Sequence, residues 1–562
     1  MKYLDLYNEW STNLYFDKNT RQELIDIKNN TYEIKERFYK NLEFGTAGLR
    51  GIIGAGTNRI NEYTIARATF GLANYIIKNT GEEGRKRGVV IAHDNRFMSR
   101  EFCIKTADTL VACGIKAYIF DSLRTTPELS FAVRNLNCIA GIVITASHNP
   151  PEYNGYKVYW EDGAQIMPEI AEKIIHEINK INDFSKIPVV KESQKKLVIT
   201  LDKKQDDDFI KEVKKQCRCE SIVKKIGTKF KIVYTPLCGT GNIPVKRVLK
   251  EIGFEKILTV EEEERPDINF AGIKYPNPEE REALQRGIKL AQKEDADLVI
   301  ATDPDCDRVG IAVKVNYGKY ELLTGNQIGA LLVDYVLRNL KEENLLVDNS
   351  TIIKTIVTSE LGAKVAKSYG VESIDVLTGF KFIGNKIKEF ESNNEKTFIM
   401  GFEESYGYLI GTHSRDKDGV VAAMLIAEMA AYYFDREMTL YDGLMALYER
   451  FGYFKEETIS ITLKGIEGLE KIKEIMKFFR TTDIKNKEIL EIKDYIKGID
   501  ELPKSDVIKF KLKSDDWIAI RPSGTEPKLK IYISVNEKDL DLANKRMIHI
   551  KTQLKEQLDK LI

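Results

Sequence analysis

Ile139-Ala140-Gly141-Ile142-Val143-Ile144-Thr145-Ala146-Ser147-His148-Asn149-Pro150 is the stretch on which the reading of this chain turns. Its first half is apolar and reads as a buried strand. Its second half is a turn rich in Asn and Pro, followed by a further proline, Pro151. Such a turn fixes Ser147 at the end of a strand, where it can be displayed to a cleft. A hydroxyl held in this way can carry an acyl or phosphoryl group covalently. Taken alone, Ser147 reads first as an ordinary turn serine satisfying backbone groups.

Outward from this segment, short β-rich runs alternate with amphipathic helical stretches. Strand 88–92, helix 99–112 and strand 116–120 precede the serine turn, and a charged stretch, 180–195, closes the first block. A second block opens near Asp206 with strand 231–234, helix 243–252 and strand 298–301. A third begins with helix 325–340 and closes after an apolar helix, 420–434. This alternation predicts α/β units with mainly parallel sheets. In the tail, strands 458–463, 507–512, 517–521 and 530–535 mix with Lys/Glu-rich helices, which predicts an α+β domain with an antiparallel sheet. The expected domains are residues 1–205, 206–320, 321–445 and 446–562.

Bulk properties narrow the function. A length of 562 residues exceeds a single core. The 86 basic and 86 acidic residues cancel, so nothing global attracts nucleic acid, and any pull on a phosphorylated ligand must be local. Seven scattered cysteines fit neither a disulfide framework nor zinc spacing, with Cys217 and Cys219 flanking Arg218 in a Lys-rich helical stretch. The N-terminal segment MKYLDLYNEW has no apolar signal region, and the 420–434 stretch contains Glu428 and is too short to span a bilayer. A soluble, cytoplasmic protein without a membrane partner is expected.

Four further motifs carry chemistry. Asp303-Pro304-Asp305-Cys306-Asp307-Arg308 follows a strand, and three carboxylates at alternate positions can converge on one hard divalent cation. An EF-hand is excluded, because Arg308 and Lys314 stand where that loop needs Gly and Glu. Arg521-Pro522-Ser523-Gly524-Thr525-Glu526-Pro527 lies between two strands and offers an Arg fork, two hydroxyls and a glycine, parts suited to holding a phosphate. Gly401-Phe402-Glu403-Glu404-Ser405-Tyr406-Gly407 follows a strand expected at 397–400 and could grip vicinal sugar hydroxyls, or be a surface turn. Thr378-Gly379-Phe380-Lys381 is similar and weaker. The Gly-rich segment 44–51, FGTAGLRG, fits neither a Walker A loop nor a dinucleotide fingerprint. No G-x-S-x-G elbow surrounds Ser147 and no H-x-x-x-H pair exists, which argues against a Ser-His-Asp hydrolase.

TASHNP, DPDCDR, GFEESYG and RPSGTEPK appear in this order, one per block, and with FGTAGLRG they make the whole chain resemble the α-D-phosphohexomutase superfamily. The likeness is strongest to its phosphoglucomutases and phosphomannomutases of the longer, type-2 kind. The resemblance implies three similar mixed α/β domains and a C-terminal α+β domain, TATA-box-binding-protein-like, around a central cleft. It implies that Ser147 is phosphorylated in the active enzyme and that Asp303, Asp305 and Asp307 hold Mg²⁺ together with its phosphate. Arg50, His148 and Lys157 match catalytic positions, Lys157 as an acid/base. Arg308, Thr378, Gly379, Glu403, Ser405 and Lys417 match substrate-binding positions, and Arg521, Ser523, Gly524 and Thr525 the site of the non-transferring phosphate. Many relatives have Gly where this chain has Pro304 and Cys306, and the sugar loop leaves Glu403 and Glu404 both open, with Glu403 the better aligned.

The implied reaction interconverts α-D-glucose 1-phosphate and glucose 6-phosphate through a 1,6-bisphosphate, with glucose 1,6-bisphosphate as primer. Mannose or pentose phosphates, or synthesis of the bisphosphate itself, are alternatives within the class. A non-catalytic sugar-phosphate-binding regulator is the alternative outside it. The partner is a small sugar phosphate, and the protein is expected as a monomer or homodimer.

Overall fold

The computed structural model describes residues 2–45, 48–315, 318–463, 465–481, 488–499, 501–513, 515–522 and 528–561. Its architecture is four-domain α/β, with sheets of six, five, four and five strands. The chain gathers into two compact units. One comprises residues 1–325, 380–401 and 405–439, the other residues 326–379, 402–404 and 440–562.

In the first unit the six-stranded sheet runs in the order Gly48–Ile52, Tyr153–Trp160, Ala140–Ile144, Val89–His93, Ala117–Phe120, Val198–Leu201. Strands Val89–His93 and Ala140–Ile144 pair in parallel at its centre and are buried throughout. Their near-continuous apolar sequences follow from burial on both faces. Val89, Ile91, Ile142 and Ile144 pack with helices Glu62–Arg87, Ser99–Ala112 and Pro168–Asn179. Val90, Ala92 and Val143 join Leu129, Ala132 and Val133 of helix Thr126–Asn135. Alternate residues thus serve opposite faces, as the strand period requires. Strand Tyr153–Trp160 then returns antiparallel to Ala140–Ile144, placing Lys157 opposite Val143 beside the serine turn. Before this sheet, helices Lys2–Thr12, Lys18–Asp26 and Thr31–Phe38 close an aromatic cluster in which Trp10 stacks on Phe16 at 4.2 Å.

The five-stranded sheet is ordered Lys319–Leu323, Val309–Val315, Leu298–Thr302, Lys231–Thr235, Lys256–Thr259. Thr302 and Val309 are register partners in an antiparallel pair, so residues 303–308 form a tight connection at the sheet's end. Helix Gly419–Phe434 is buried from Gly419 to Tyr433 and packs on helices Asn242–Ile252 and Glu220–Ile226. Its one acid, Glu428, accepts hydrogen bonds from the backbone N–H groups of Arg218 (2.9 Å) and Cys219 (2.7 Å). That contact corrects the sequence reading at Cys217-Arg218-Cys219. The segment is an irregular turn between helices Lys203–Lys214 and Glu220–Ile226, because the Glu428 carboxylate draws its N–H groups out of any helical ladder. All seven cysteines are free thiols. Among the described residues, no helix is long and apolar enough to cross a membrane.

The second unit holds the parallel pair Ser350–Thr355 and Glu372–Val376. It also holds the antiparallel sheet Tyr453–Thr462, Lys528–Glu537, Trp517–Pro522, Ile508–Leu512, Ile489–Asp494, whose core is shared with helices Gly465–Thr481 and Leu540–Leu558. Strand Thr397–Glu403 runs three residues further than the sequence suggested, so Glu403 ends a strand instead of lying in a loop. Burial continues through Gly401, Phe402 and Glu403, which is why the extended backbone persists past the glycine.

Glu428→Leu raises the hydropathy of helix Gly419–Phe434, yet it should destabilise the protein by about 3 kcal/mol by stranding two N–H groups. Chemical denaturation of the variant should show this loss, and unchanged stability would remove the capping role.

Candidate active site

Ser147 lies just past strand Ala140–Ile144 in a left-handed conformation, φ 52°, and is 4% exposed. Its N–H donates to the Thr145 hydroxyl (2.9 Å), which donates to Asp94 Oδ2 (2.6 Å). The other Asp94 oxygen accepts from Ser99 Oγ (2.7 Å) and the Arg96 N–H (2.9 Å). The guanidinium of Arg96 reaches back across the turn to the carbonyls of Ser147 (2.5 Å), Asn149 (2.6 Å), Pro150 (2.8 Å) and Tyr153 (3.0 Å). A left-handed φ is costly for a residue with a side chain, so it persists where its surroundings over-determine it.

The hydroxyl so displayed faces Asp305. Ser147 Oγ is 3.4 Å from Asp305 Oδ2, and the same oxygen accepts from Thr126 Oγ1 (2.7 Å) and Lys157 Nζ (2.7 Å). Lys157 Nζ is also 3.3 Å from Asp307 Oδ2, which Lys417 Nζ approaches at 3.2 Å. Asp303 Oδ1 accepts from the N–H groups of Asp307 (3.0 Å) and Arg308 (2.9 Å). The turn is gripped by close backbone neighbours. A Cβ on Gly239 would lie 2.5 Å from Pro304 Cα, and one on Gly419 2.5 Å from the Cys306 carbonyl oxygen. Cys306 itself has φ 56°, the region glycine enters most freely.

Asp303, Asp305 and Asp307 are buried, and a ligand oxygen from each lies within 4.8 Å of the others. Asp303 Oδ2, Asp305 Oδ1 and Asp307 Oδ1 have no hydrogen-bond partner among the described residues. Three buried carboxylates that converge on one another, each with one oxygen lacking a donor, fit a hard divalent cation. The electrostatics agree. Burial, then Asp307 and Asp305, push the Asp303 carboxyl well above the usual range. Burial works against the charge of Asp307 too, but Lys417 and Lys157 hold its pKa below the usual range. For Lys157, burial opposes the charge while Asp305 and Asp307 sustain it and hold the ammonium's pKa up. Desolvation, then Arg308 and Arg50, push the His148 imidazole well below its ordinary value, 4.0 Å from Asp303 Oδ2.

The structure therefore brings together Ser147, His148, Lys157, Asp303, Asp305, Asp307 and Lys417, with Arg308 beside them in an ion pair with Glu279. Arg50, on strand Gly48–Ile52, donates to Asn149 Oδ1 at 3.2 Å. Ser405 lies in the same unit, one residue before Tyr406, whose carbonyl accepts from the Val309 N–H (3.1 Å). Thr378, Gly379, Glu403 and Arg521 belong to the second unit. There Glu403 is 5% exposed, whereas Glu404 accepts from the hydroxyls of Thr355 (3.1 Å) and Thr358 (3.2 Å). Ser523, Gly524 and Thr525 lie outside the described residues. Sequence reasoning missed Asp94, Arg96 and Thr126. The available signals were the polar Asp94-Asn95-Arg96 directly after a buried strand, and Thr125-Thr126-Pro127 opening a helix.

Comparison with known proteins finds relatives along most of the chain. Four family models match in succession: phosphoglucomutase/phosphomannomutase alpha/beta/alpha domain I over residues 41–184, domain II over 207–317, domain III over 324–451, and the C-terminal domain over 470–543. A phosphoglucomutase of Staphylococcus aureus strain MRSA252 is 38% identical over 525 residues, covering 91% of this chain and 92% of that protein. The strain N315 protein of the same name is 37% identical over 524 residues, with the same coverage. Among solved structures, parafusin, a Paramecium phosphoglucomutase in an open form, shares the fold with TM-score 0.69 at 20% identity, covering 92% of this chain and 95% of that one. A phosphoglucomutase/phosphomannomutase family protein of Burkholderia thailandensis does so with TM-score 0.66 at 18% identity, covering 91% and 97%.

A saturating divalent cation should stabilise the folded chain by about 2.7 kcal/mol at a hundredfold excess over its Kd. Thermal melts with and without Mg²⁺ should show a rise in Tm for the wild type that is lost in Asp305→Asn. An equal rise in both would remove the carboxylate triad as the cation site.

Proposed function

This chain belongs to the phosphoglucomutase/phosphomannomutase family and is a phosphohexomutase, an intramolecular phosphotransferase, and on that premise we propose that it interconverts α-D-glucose 1-phosphate and glucose 6-phosphate through a phosphorylated Ser147. The observation that carries this reading is the Ser147 hydroxyl facing Asp305 beside three carboxylate oxygens without donors and the Lys157 ammonium. Glucose is favoured over mannose or pentose phosphates by the names of the relatives that match along the whole chain.

In the proposed cycle, the 6-hydroxyl of glucose 1-phosphate attacks the phosphorus on Ser147 and the P–Oγ bond breaks. Lys157 protonates the departing serine oxygen and takes up the sugar's hydroxyl proton, so the first half leaves a neutral Ser147 and glucose 1,6-bisphosphate. The second half reverses these steps with the 1-phosphate after the bisphosphate has turned over. Asp303, Asp305 and Asp307, with an oxygen of the phosphoserine, would hold Mg²⁺, which when bound offsets the negative charge of the transferring group. Lys417 and Arg308 add positive charge beside the reacting oxygens, and Arg50 and His148 complete this face of the site.

Glu403, Thr378 and Gly379, in the second unit, are assigned to sugar hydroxyls, and Arg521 to the resting phosphate; Ser405, in the first unit, is likewise assigned to sugar hydroxyls, and Ser523, Gly524 and Thr525 to the resting phosphate. The blocks 1–205, 206–320, 321–445 and 446–562 are assigned to the family's four domains. Glucose 1,6-bisphosphate is the primer that restores the phosphoserine.

Ser147→Ala should abolish turnover, a loss of at least about 10³-fold, because the covalent carrier is gone. Coupled assays with glucose, mannose and ribose 1-phosphates should rank glucose first. Intact-protein mass should gain one phosphoryl group after incubation with the bisphosphate, in the wild type alone. No turnover of any of the three sugars by the primed wild type would overturn the reading.

A further inference from the structure

The geometry points to Arg96 as the positioning residue of the phosphoryl-transfer site, a role that rests on Ser147 being the carrier. One guanidinium holds four carbonyls of the turn that displays the hydroxyl: those of Ser147, Asn149, Pro150 and Tyr153. It is also paired with Asp94 at 3.2 Å, with both side chains fully buried. Asp94 in turn fixes the Thr145 hydroxyl that receives the Ser147 N–H. The turn is thus tied from its carbonyl side by Arg96 and from its amide side by Thr145, and both ties end on Asp94.

The same guanidinium lies 4.8 Å from the ring centre of Phe270, and the neighbouring Asn95 side chain donates to the Asp267 carbonyl at 2.8 Å. Residues 267–270 fall in the second block, the one that carries the three aspartates. Arg96 therefore sits between the two parts that must be aligned: the serine turn on one sheet and the segment docked from the domain of the metal loop. Phosphoryl transfer depends on alignment to within about 1 Å, and a misplacement of that size costs on the order of 10²-fold in rate. Lysine cannot replace this side chain, because a single ammonium lacks the planar five-donor fork that spans four carbonyls. Arg96 makes its contacts with backbone carbonyls, with Asp94 and with the ring of Phe270. It acts through the backbone of Ser147.

The test compares wild type, Arg96→Lys and Phe270→Leu as full-length Mg²⁺-loaded enzymes. Arg96→Lys should lower both kcat and the rate at which glucose 1,6-bisphosphate phosphorylates Ser147 by about 10- to 100-fold. Its KM for glucose 1-phosphate should stay within about twofold, and its Mg²⁺-dependent rise in Tm should persist. Phe270→Leu keeps an apolar side chain there and removes the ring face, and should lower the same two rates by about 3- to 10-fold. It decides the matter should Arg96→Lys fail to fold. Unchanged phosphorylation rates in the folded variants, or a rise in KM alone, would overturn the positioning role. A wild-type enzyme that never carries phosphate on Ser147 would overturn the mutase reading and this role with it, and that outcome is recognisable without either variant.

Discussion

Three carboxylates within a few ångströms of one another, away from water, repel strongly, and the centre of the first unit is arranged around that repulsion. Buried charge is tolerated when it is paired and hydrogen-bonded. Each aspartate is met differently. Asp303 is held by two backbone N–H groups of its own turn, Asp305 by Thr126 and Lys157, and Asp307 by Lys157 and Lys417. One oxygen of each is left without a hydrogen-bond partner among the described residues. The tightness of the turn between Thr302 and Val309, the antiparallel return that delivers Lys157, and the helix that opens with Thr126 all serve this one constraint.

Pairing across blocks explains why the fold has its particular topology near the site. Lys157 lies on a strand added antiparallel to an otherwise parallel sheet centre, so it returns alongside the serine turn. Lys417 comes from the loop ahead of a helix of the third block, with its neighbour Asp416 held by Tyr159 and Gln165 of the first. Gly239 and Gly419 let two other segments press directly on the aspartate turn. The aspartate turn is thus held by contacts from three blocks of the chain, the kind of support that a reaction governed by alignment requires.

How much of this could be read from the sequence follows from how local each signal is. The aspartates were legible because three acids at alternate positions in one turn carry their own explanation. Ser147 was legible as a displayed serine, and acquired a chemical role through motifs elsewhere in the chain. Arg96 was not legible, since its partners are carbonyl oxygens some fifty residues away and backbone atoms leave no mark on side-chain pattern. The surroundings of Glu404 were not legible either, since the two threonines that donate to it lie in a distant segment. The N-terminal helices were missed because their coherence comes from ring packing among Trp10, Phe16, Phe38 and Tyr63, not from any one segment's periodicity.

The acid inside helix Gly419–Phe434 bears on the birth of the protein as well as on its folded form. While the ribosome is still making the chain, this helix is the segment most like a membrane anchor, and its cap partners at Arg218 and Cys219 have already been synthesised. A carboxylate near the middle of such a helix costs about 3 kcal/mol to place in lipid. The same carboxylate that is costly in lipid is satisfied in the fold by a turn lying some two hundred residues earlier in the chain.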